Sequence, residues 1–392
     1  MKTKFSVIFI LFSFMIIIMY YAIPKSAFAK EVSNFDNITS KSVYLADADS
    51  NTVIISKNQN THYPIASMCK IMTLLLCFDE IDQNTISLDD VICVSQKASN
   101  MGGSQIFLEA NGNYYVRDLI KGIVVASAND ACVAMAEYIC GSEGEFVDRM
   151  NKKADELNMK DTVFTNCTGL PKPGQYSCAK DVYTMFNELL NHKGYLTFSN
   201  IWMDKINHPK DRITEISNTN KLIRFYDGCD SGKTGYTSEA GFCICASAVR
   251  NDTRLISVVI SAPDSKTRFK EASNMFNYGF NNYTNKIIVS KNTPLDDEVE
   301  VRYGKVDTFK AIPANNISIF MKKNENKSFN IDVNINKNLV APIFKGDVVG
   351  NITVFIGGVE YKTVDLISYQ DVLKASYFDV IIDTVDDWNL VS

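Results

Sequence analysis

Apolar and polar positions along this chain change period several times, and each change marks an element. Residues 40–57, SKSVYLADADSNTVIISK, predict two strands around a turn at Asp49-Ser50-Asn51. From Tyr63 the spacing becomes helical. Pro64 and Ala66-Ser67 mark a helix start, and Ile71, Leu74, Leu75 and Ile81 continue it. Residues 116–140, VRDLIKGIVVASANDACVAMAEYIC, keep helical periodicity on both sides of a polar break at Ser127-Ala128-Asn129-Asp130. Further helices are predicted over 145–157, 179–190 and 266–283. Residues 241–263, GFCICASAVRNDTRLISVVISAP, read as a hairpin turning at Asn251-Asp252, both strands apolar enough for a core sheet. The expected result is an α/β (α+β) domain with helices around an antiparallel sheet.

After about Asn285 the texture changes. FNIDVNI (329–335) and ITVFI (352–356) alternate in period two between turns rich in Gly, Asn and Lys, which predicts a small all-β domain over 285–368. The tail, 369–392, places Leu373, Tyr377, Val380, Ile381, Val385 and Trp388 on one helical face. Asp379, Asp383, Asp386 and Asp387 carry the wrong charge for an anionic membrane surface. Packing against its own β domain and peripheral membrane contact both stay open for this tail.

At the other end, Lys2 and Lys4 precede an apolar run from Phe5 to Ile23, followed by Pro24 and KSAFA, with small residues at Ala27 and Ala29. This pattern predicts a secretory signal over residues 1–29. The run is also long enough to span a bilayer as a retained anchor, a second route to membrane contact. Either way the remainder, with its first domain at 30–284, is expected to work outside the cytoplasm.

Composition narrows the function. The 392 residues are 46% hydrophobic and 22% charged, a globular balance with length for two domains. A net charge of −5, with no basic stripe or zinc-type spacing, argues against a nucleic-acid binder. The three histidines, His62, His192 and His208, are too scattered for a metal site or a Ser-His-Asp triad. The ten cysteines all lie between Cys69 and Cys245. Cys77, Cys132 and Cys140 fall inside apolar helical runs, and Cys243 and Cys245 share one strand face, so mostly free, buried thiols are expected.

Candidate chemistry begins with Ser67 and Lys70. Three residues apart on a helix they share a face, and a lysine amine there can take the serine proton if burial or neighbours keep it partly neutral. Alone the pair is weak, since about one or two such pairs occur by chance in a chain this long. The polar break adds Ser127-x-Asn129, and CDSGKTGYTSEAGF adds Lys233-Thr234-Gly235. Together and in this order, S-x-x-K, S-x-N and K-T-G form the signature of penicillin-binding proteins and serine β-lactamases.

The chain most resembles the low-molecular-mass penicillin-binding proteins, the D-alanyl-D-alanine carboxypeptidases of the peptidase S11 family. GGSQIFLEANGNYYVRDLIKGIVVASANDACVAMAE, MNKKADELNMKDTVFTNCTGLP and SAPDSKTRFKEA carry the likeness beyond the triplet, and it covers roughly Ser42 to Ser368. Cys69 and Cys167 stand where other residues are commoner. The resemblance implies a transpeptidase-like domain in which Ser67 is acylated with Lys70 as general base. It implies that Ser127 relays a proton between Lys70, Lys233 and the leaving amine, and that Asn129 holds Lys70 and the substrate amide. The oxyanion hole would be the backbone N–H groups of Ser67 and Tyr236, with Thr234 and Arg268 on the substrate's terminal carboxylate. The implied partners are stem peptides ending in D-Ala-D-Ala and, as covalent inhibitors, β-lactams, with no metal or cofactor. A β-lactamase would use a glutamate from an E-x-x-L-N motif, but Ala154 and Asn187 stand at the glutamate position before the two Leu-Asn pairs. A penicillin-sensing receptor is the other alternative, and only the N-terminal segment could serve it as a membrane span.

Overall fold

The computed structural model describes residues 38–291, 293–379 and 381, so the signal-peptide reading of residues 1–29 lies outside the described residues. The chain divides into two compact units. The described residues of the first are 38–46, 53–247 and 256–275, and those of the second are 47–52, 248–255 and 276 onwards.

Most of a five-stranded sheet belongs to the first unit, while Asp47, residues 248–250 and residues 253–255 of its strands belong to the second. Its strands are β1 (Ser42–Asp47), β2 (Val53–Lys57), β7 (Cys229–Thr237), β8 (Gly241–Arg250) and β9 (Thr253–Ala262), in the order β2-β1-β9-β8-β7. Two hairpins, β3 (Val91–Cys93) with β4 (Asn113–Tyr115) and β5 (Met203–Asn207) with β6 (Ile213–Ser217), stand apart from it. Asn251 and Asp252 both adopt positive φ (47° and 56°), as a two-residue hairpin turn matched to strand twist requires. The centres of β8 and β9 are buried on both faces, which is why CICASA and LISVVI read as continuous apolar runs rather than alternating ones.

Helix α1 (Lys70–Asp82) is buried at every position from Lys70 to Phe78. Its run IMTLLLCF is therefore apolar all round, as an interior helix must be, and only Ile81 and its neighbours reach the surface. The helices α3 (Asn129–Cys140), α4 (Glu143–Glu156) and α5 (Ala179–Asn191) pack against it, and α2 (Val116–Lys121), α6 (Lys193–Ser199) and α7 (Ser265–Asn282) are the other helices that bear on the site. Ser142 caps α4 by accepting from Glu145 N, with Glu143 and Glu145 placed favourably in the first turn.

The second unit is β-rich. Its four-stranded sheet sets Ala311–Pro313, Val359–Ser368, Val348–Ile356 and Phe329–Ile335 side by side in that order. Two-stranded pairs join Tyr283–Val289 to Ile317–Lys322 and Val299–Glu300 to Thr308–Phe309. Its core gathers Phe309, Ile317, Ile319, Ile343, Val349, Val354 and Leu366. The tail departs from the expected helix. Val372 bridges to Ile343 and Lys374 to Gly304, so Leu373 is in extended chain and Val372 enters the β core, past the expected boundary at Ser368. Tyr377 to Asp379 are helical, and Val380, Val385 and Trp388 lie outside the described residues. Two backbone partners and one buried valine outweigh the amphipathic spacing here.

Candidate active site

The site is assembled in the first unit from three stretches of chain. Ser67 sits in a 3-10 turn, Ala66–Cys69, that runs directly into α1. Ala66 enters it at a left-handed φ of 46°, a conformation that costs a non-glycine residue about 1–3 kcal/mol and recurs at functional sites. The turn keeps Ser67 on the same face as Lys70, whose Nζ donates to Ser67 Oγ at 2.9 Å and to the Thr168 carbonyl at 2.5 Å. Lys70 is fully buried, and burial lowers its pKa from the ordinary lysine value of 10.5.

The second stretch follows α2. That helix widens into a π turn, Gly122–Ala126, and ends on Ser127 at φ 61°, again left-handed. Ser127 Oγ accepts from Lys233 Nζ at 2.7 Å, and the same amine donates to the Thr234 carbonyl at 3.2 Å. Lys233 is only 1% exposed, and its pKa falls well below 10.5, first by burial and then by the Lys70 ammonium. Burial is the first cause at both amines; repulsion from Lys70 adds to it at Lys233, whereas the charges around Lys70, from Cys132 to Asp130, oppose the shift there.

Asn129 departs from its expected partner. Its Nδ2 donates to the Gly102 carbonyl at 2.7 Å rather than engaging Lys70, and its buried Oδ1 has no partner. Asp130, passed over as part of the break, accepts from the backbone N–H groups of Ile106 and Leu108. Burial raises its pKa, and these N–H bonds oppose that shift. Asn129 and Asp130 together hold the 102–108 loop beside the site.

The third stretch is β7. A Cβ on Gly235 would lie 2.7 Å from the Ile65 carbonyl and 3.1 Å from Ser67 N, so only glycine lets this strand pass so near the serine turn. Thr234 is buried, and Tyr236 is exposed and stacked on Phe242 with ring centroids 4.3 Å apart. Arg268, on α7, donates from Nη1 to the carbonyls of Gly235 (3.0 Å) and Cys243 (3.2 Å). It packs over Phe242 and Phe269, and its buried Nε is unpartnered. Burial lowers its pKa from 12.5.

The Thr168 carbonyl is the contact that spacing could not reveal. Asn166 Oδ1 accepts from Thr168 N and Gly169 N, while Thr73 Oγ1 donates to the Cys167 carbonyl, so the NCTGL loop is clamped against α1. A pocket of about 400 Å³ opens next to this loop, lined on one side by Ala66 and on the other by Thr237 and Glu239. All ten cysteines are free, with Cys93 exposed and Cys140 and Cys229 half-buried. Burial pushes the Cys69 and Cys132 thiols up to about 12, so both stay protonated and poorly nucleophilic beside Lys70. Among the described residues no group of three or more His, Cys, Asp or Glu is placed to hold a metal ion.

A serine and two buried lysines on this mixed sheet-and-helix frame define a penicillin-binding type of serine peptidase. The chain belongs to the D-alanyl-D-alanine carboxypeptidase family, peptidase S11, whose sequence model matches residues 28–264. Residues 283–374 match the C-terminal domain of penicillin-binding protein 5. The chain is 37% identical over 375 residues to D-alanyl-D-alanine carboxypeptidase DacF of Bacillus subtilis, covering 95% of this chain and 96% of that one. Among solved structures it is similar to PBP3 of Streptococcus pneumoniae, a peptidoglycan synthesis regulatory factor (TM-score 0.72, 26% identity, 86% and 99% of the two chains). Penicillin-binding protein 5 of Haemophilus influenzae is also similar (TM-score 0.65, 29% identity, 86% and 98%).

Proposed function

We propose that this chain removes the terminal D-alanine from peptidoglycan stem peptides through an acyl-enzyme on Ser67. The observation that carries the reading is the buried Lys70 amine, 2.9 Å from Ser67 Oγ and with its pKa lowered by burial. Neutral Lys70 takes the Ser67 proton as Oγ bonds to the carbonyl carbon of the penultimate D-alanine. The oxyanion forms against the backbone N–H groups of Ser67 and Tyr236. Ser127, held by Lys233, passes a proton to the departing D-alanine nitrogen, and the C–N bond breaks. Water then cleaves the ester and restores Ser67.

Two buried, unpartnered polar atoms support the same roles. Asn129 Oδ1 can accept from the substrate amide, and Arg268 Nε, with Thr234, can bind the terminal carboxylate. An unmatched buried group of this kind costs about 1–3 kcal/mol, which a bound substrate would recover. β-Lactams present a strained amide to the same groups and would be retained as covalent inhibitors. The lysine-flanked apolar run ahead of Lys30 supports export, with action at the outer face of the cytoplasmic membrane or in the cell wall. Among the described residues no helix is long and apolar enough to cross a membrane.

The test is covalent labelling with fluorescent penicillin, followed by release of D-alanine from a cell-wall pentapeptide. Wild type should label and release D-alanine, and Ser67→Ala should do neither. Label that persists in Ser67→Ala, or that maps to Cys69, would remove Ser67 from the role.

A further inference from the structure

The pocket beside the serine turn has a composition that the acylation chemistry does not use. Apolar walls come from Pro64, Ile65, Leu170 and Pro171, and two opposite charges, Lys172 and Glu239, stand in its lining. Lys172 Nζ spends one donor on the Thr165 carbonyl at 2.8 Å, which leaves two. The side chains of both charged residues are solvent-accessible.

Strand direction says which part of a substrate arrives there. In the proposed reaction the terminal carboxylate lies at Thr234 and Arg268, and the scissile carbonyl lies between Ser67 and Tyr236. A peptide extended beside β7 advances about 3.3 Å per residue, like the strand itself. The residue before the scissile D-alanine therefore falls at Thr237 and beyond, where the pocket opens. Its side chain enters a lining that offers both an aliphatic wall and, at Lys172 and Glu239, a cation and an anion.

We infer that this pocket selects stem peptides whose third residue carries both an ammonium and a carboxylate at its tip, as meso-diaminopimelate does, over those carrying lysine. A methylene stem covers the prolines and leucine, the carboxylate pairs with Lys172 and the ammonium with Glu239. A lysine side chain would satisfy Glu239 but bring a second cation to Lys172. The inference rests on the proposed carboxypeptidase reaction and adds its substrate class.

The experiment uses the full chain and three peptides with the same D-Ala-D-Ala end, carrying meso-diaminopimelate, L-lysine or norleucine before it. D-Alanine release provides kcat/KM for each. Wild type should prefer the diaminopimelate peptide to the lysine peptide by about two- to fivefold, the range for an exposed charge pair. Lys172→Met should bring that ratio close to one, and Glu239→Gln should lower both charged peptides relative to norleucine. Equal rates on all three peptides, a preference for lysine, or a ratio unmoved by Lys172→Met would overturn the inference while leaving the carboxypeptidase reading intact. No D-alanine from any peptide, with no penicillin label, would overturn both.

Discussion

Lys70 concentrates the physical problem at the scale of the residue. A lysine becomes a useful base near neutrality only when its ammonium is penalised, and here burial supplies the penalty while Ser67 Oγ and the Thr168 carbonyl hold the amine in place. The sign follows. Above its pKa Lys70 is neutral and competent, and as pH falls through that lowered pKa the base is lost. The acylation rate with penicillin should therefore rise with pH, its midpoint lying below the 10.5 of an ordinary lysine. A profile flat across that range would argue against Lys70 as the base. Lys70→Arg keeps the charge but cannot deprotonate, and should slow acylation by about 10²–10⁴-fold in stopped-flow measurements. The αL conformations of Ala66 and Ser127 belong to the same scale, because both place a side chain where an ordinary helix would not.

Helix α1 is fixed to its surroundings at both ends. At its start Thr73 and Lys70 hold the NCTGL loop, and at its end Asp79 and Asp82 hold His192, at the junction of α5 and α6. His192 Nδ1 lies 2.7 Å from Asp82 and Nε2 3.4 Å from Asp79. The Asp79 carboxylate, with help from Asp82, raises the imidazole pKa above 6.5 against the opposing effect of burial. A raised folded pKa means stability that is fully present below the unfolded value and lost as pH rises through the folded one. His192→Gln should accordingly destabilise the protein more at about pH 5.5 than at about pH 8.5, read as the difference in urea midpoint. The opposite ordering, or equal losses, would mean that the imidazolium contributes nothing to this junction.

Across the whole molecule, every group in the proposed reaction falls within the first unit, from Ser67 to Arg268. The second unit has its own core and sheet. We expect residues 30–283 to take up labelled penicillin at the stoichiometry of the full chain, with circular dichroism establishing that the truncated chain is folded. Loss of labelling in a folded truncation would assign the second unit a part in the site. Prominent helices and strands of the catalytic frame were legible from periodicity, because each has a run of apolar residues long enough to establish its period. The short pairs β3–β4 and β5–β6 were not, since three to five residues with half-exposed faces carry too little pattern.

Chain order and residue type were enough to place Ser67, Lys70, Ser127, Asn129, Lys233, Thr234, Gly235, Tyr236 and Arg268 in one reading, because each motif is local and the three together match one family. They also sufficed for the hairpin at Asn251-Asp252 and for α1, whose apolar run can only be buried. Three things were decided by folding alone. The Thr168 carbonyl reaches Lys70 across 98 residues of sequence. Asn129 turns to Gly102 instead of Lys70. Val372 leaves the amphipathic tail for the β core. Each depends on a backbone group presented by a distant segment. Backbone groups are the same in every residue, so their partners are set by how the chain is brought together and leave no mark in the order of side chains.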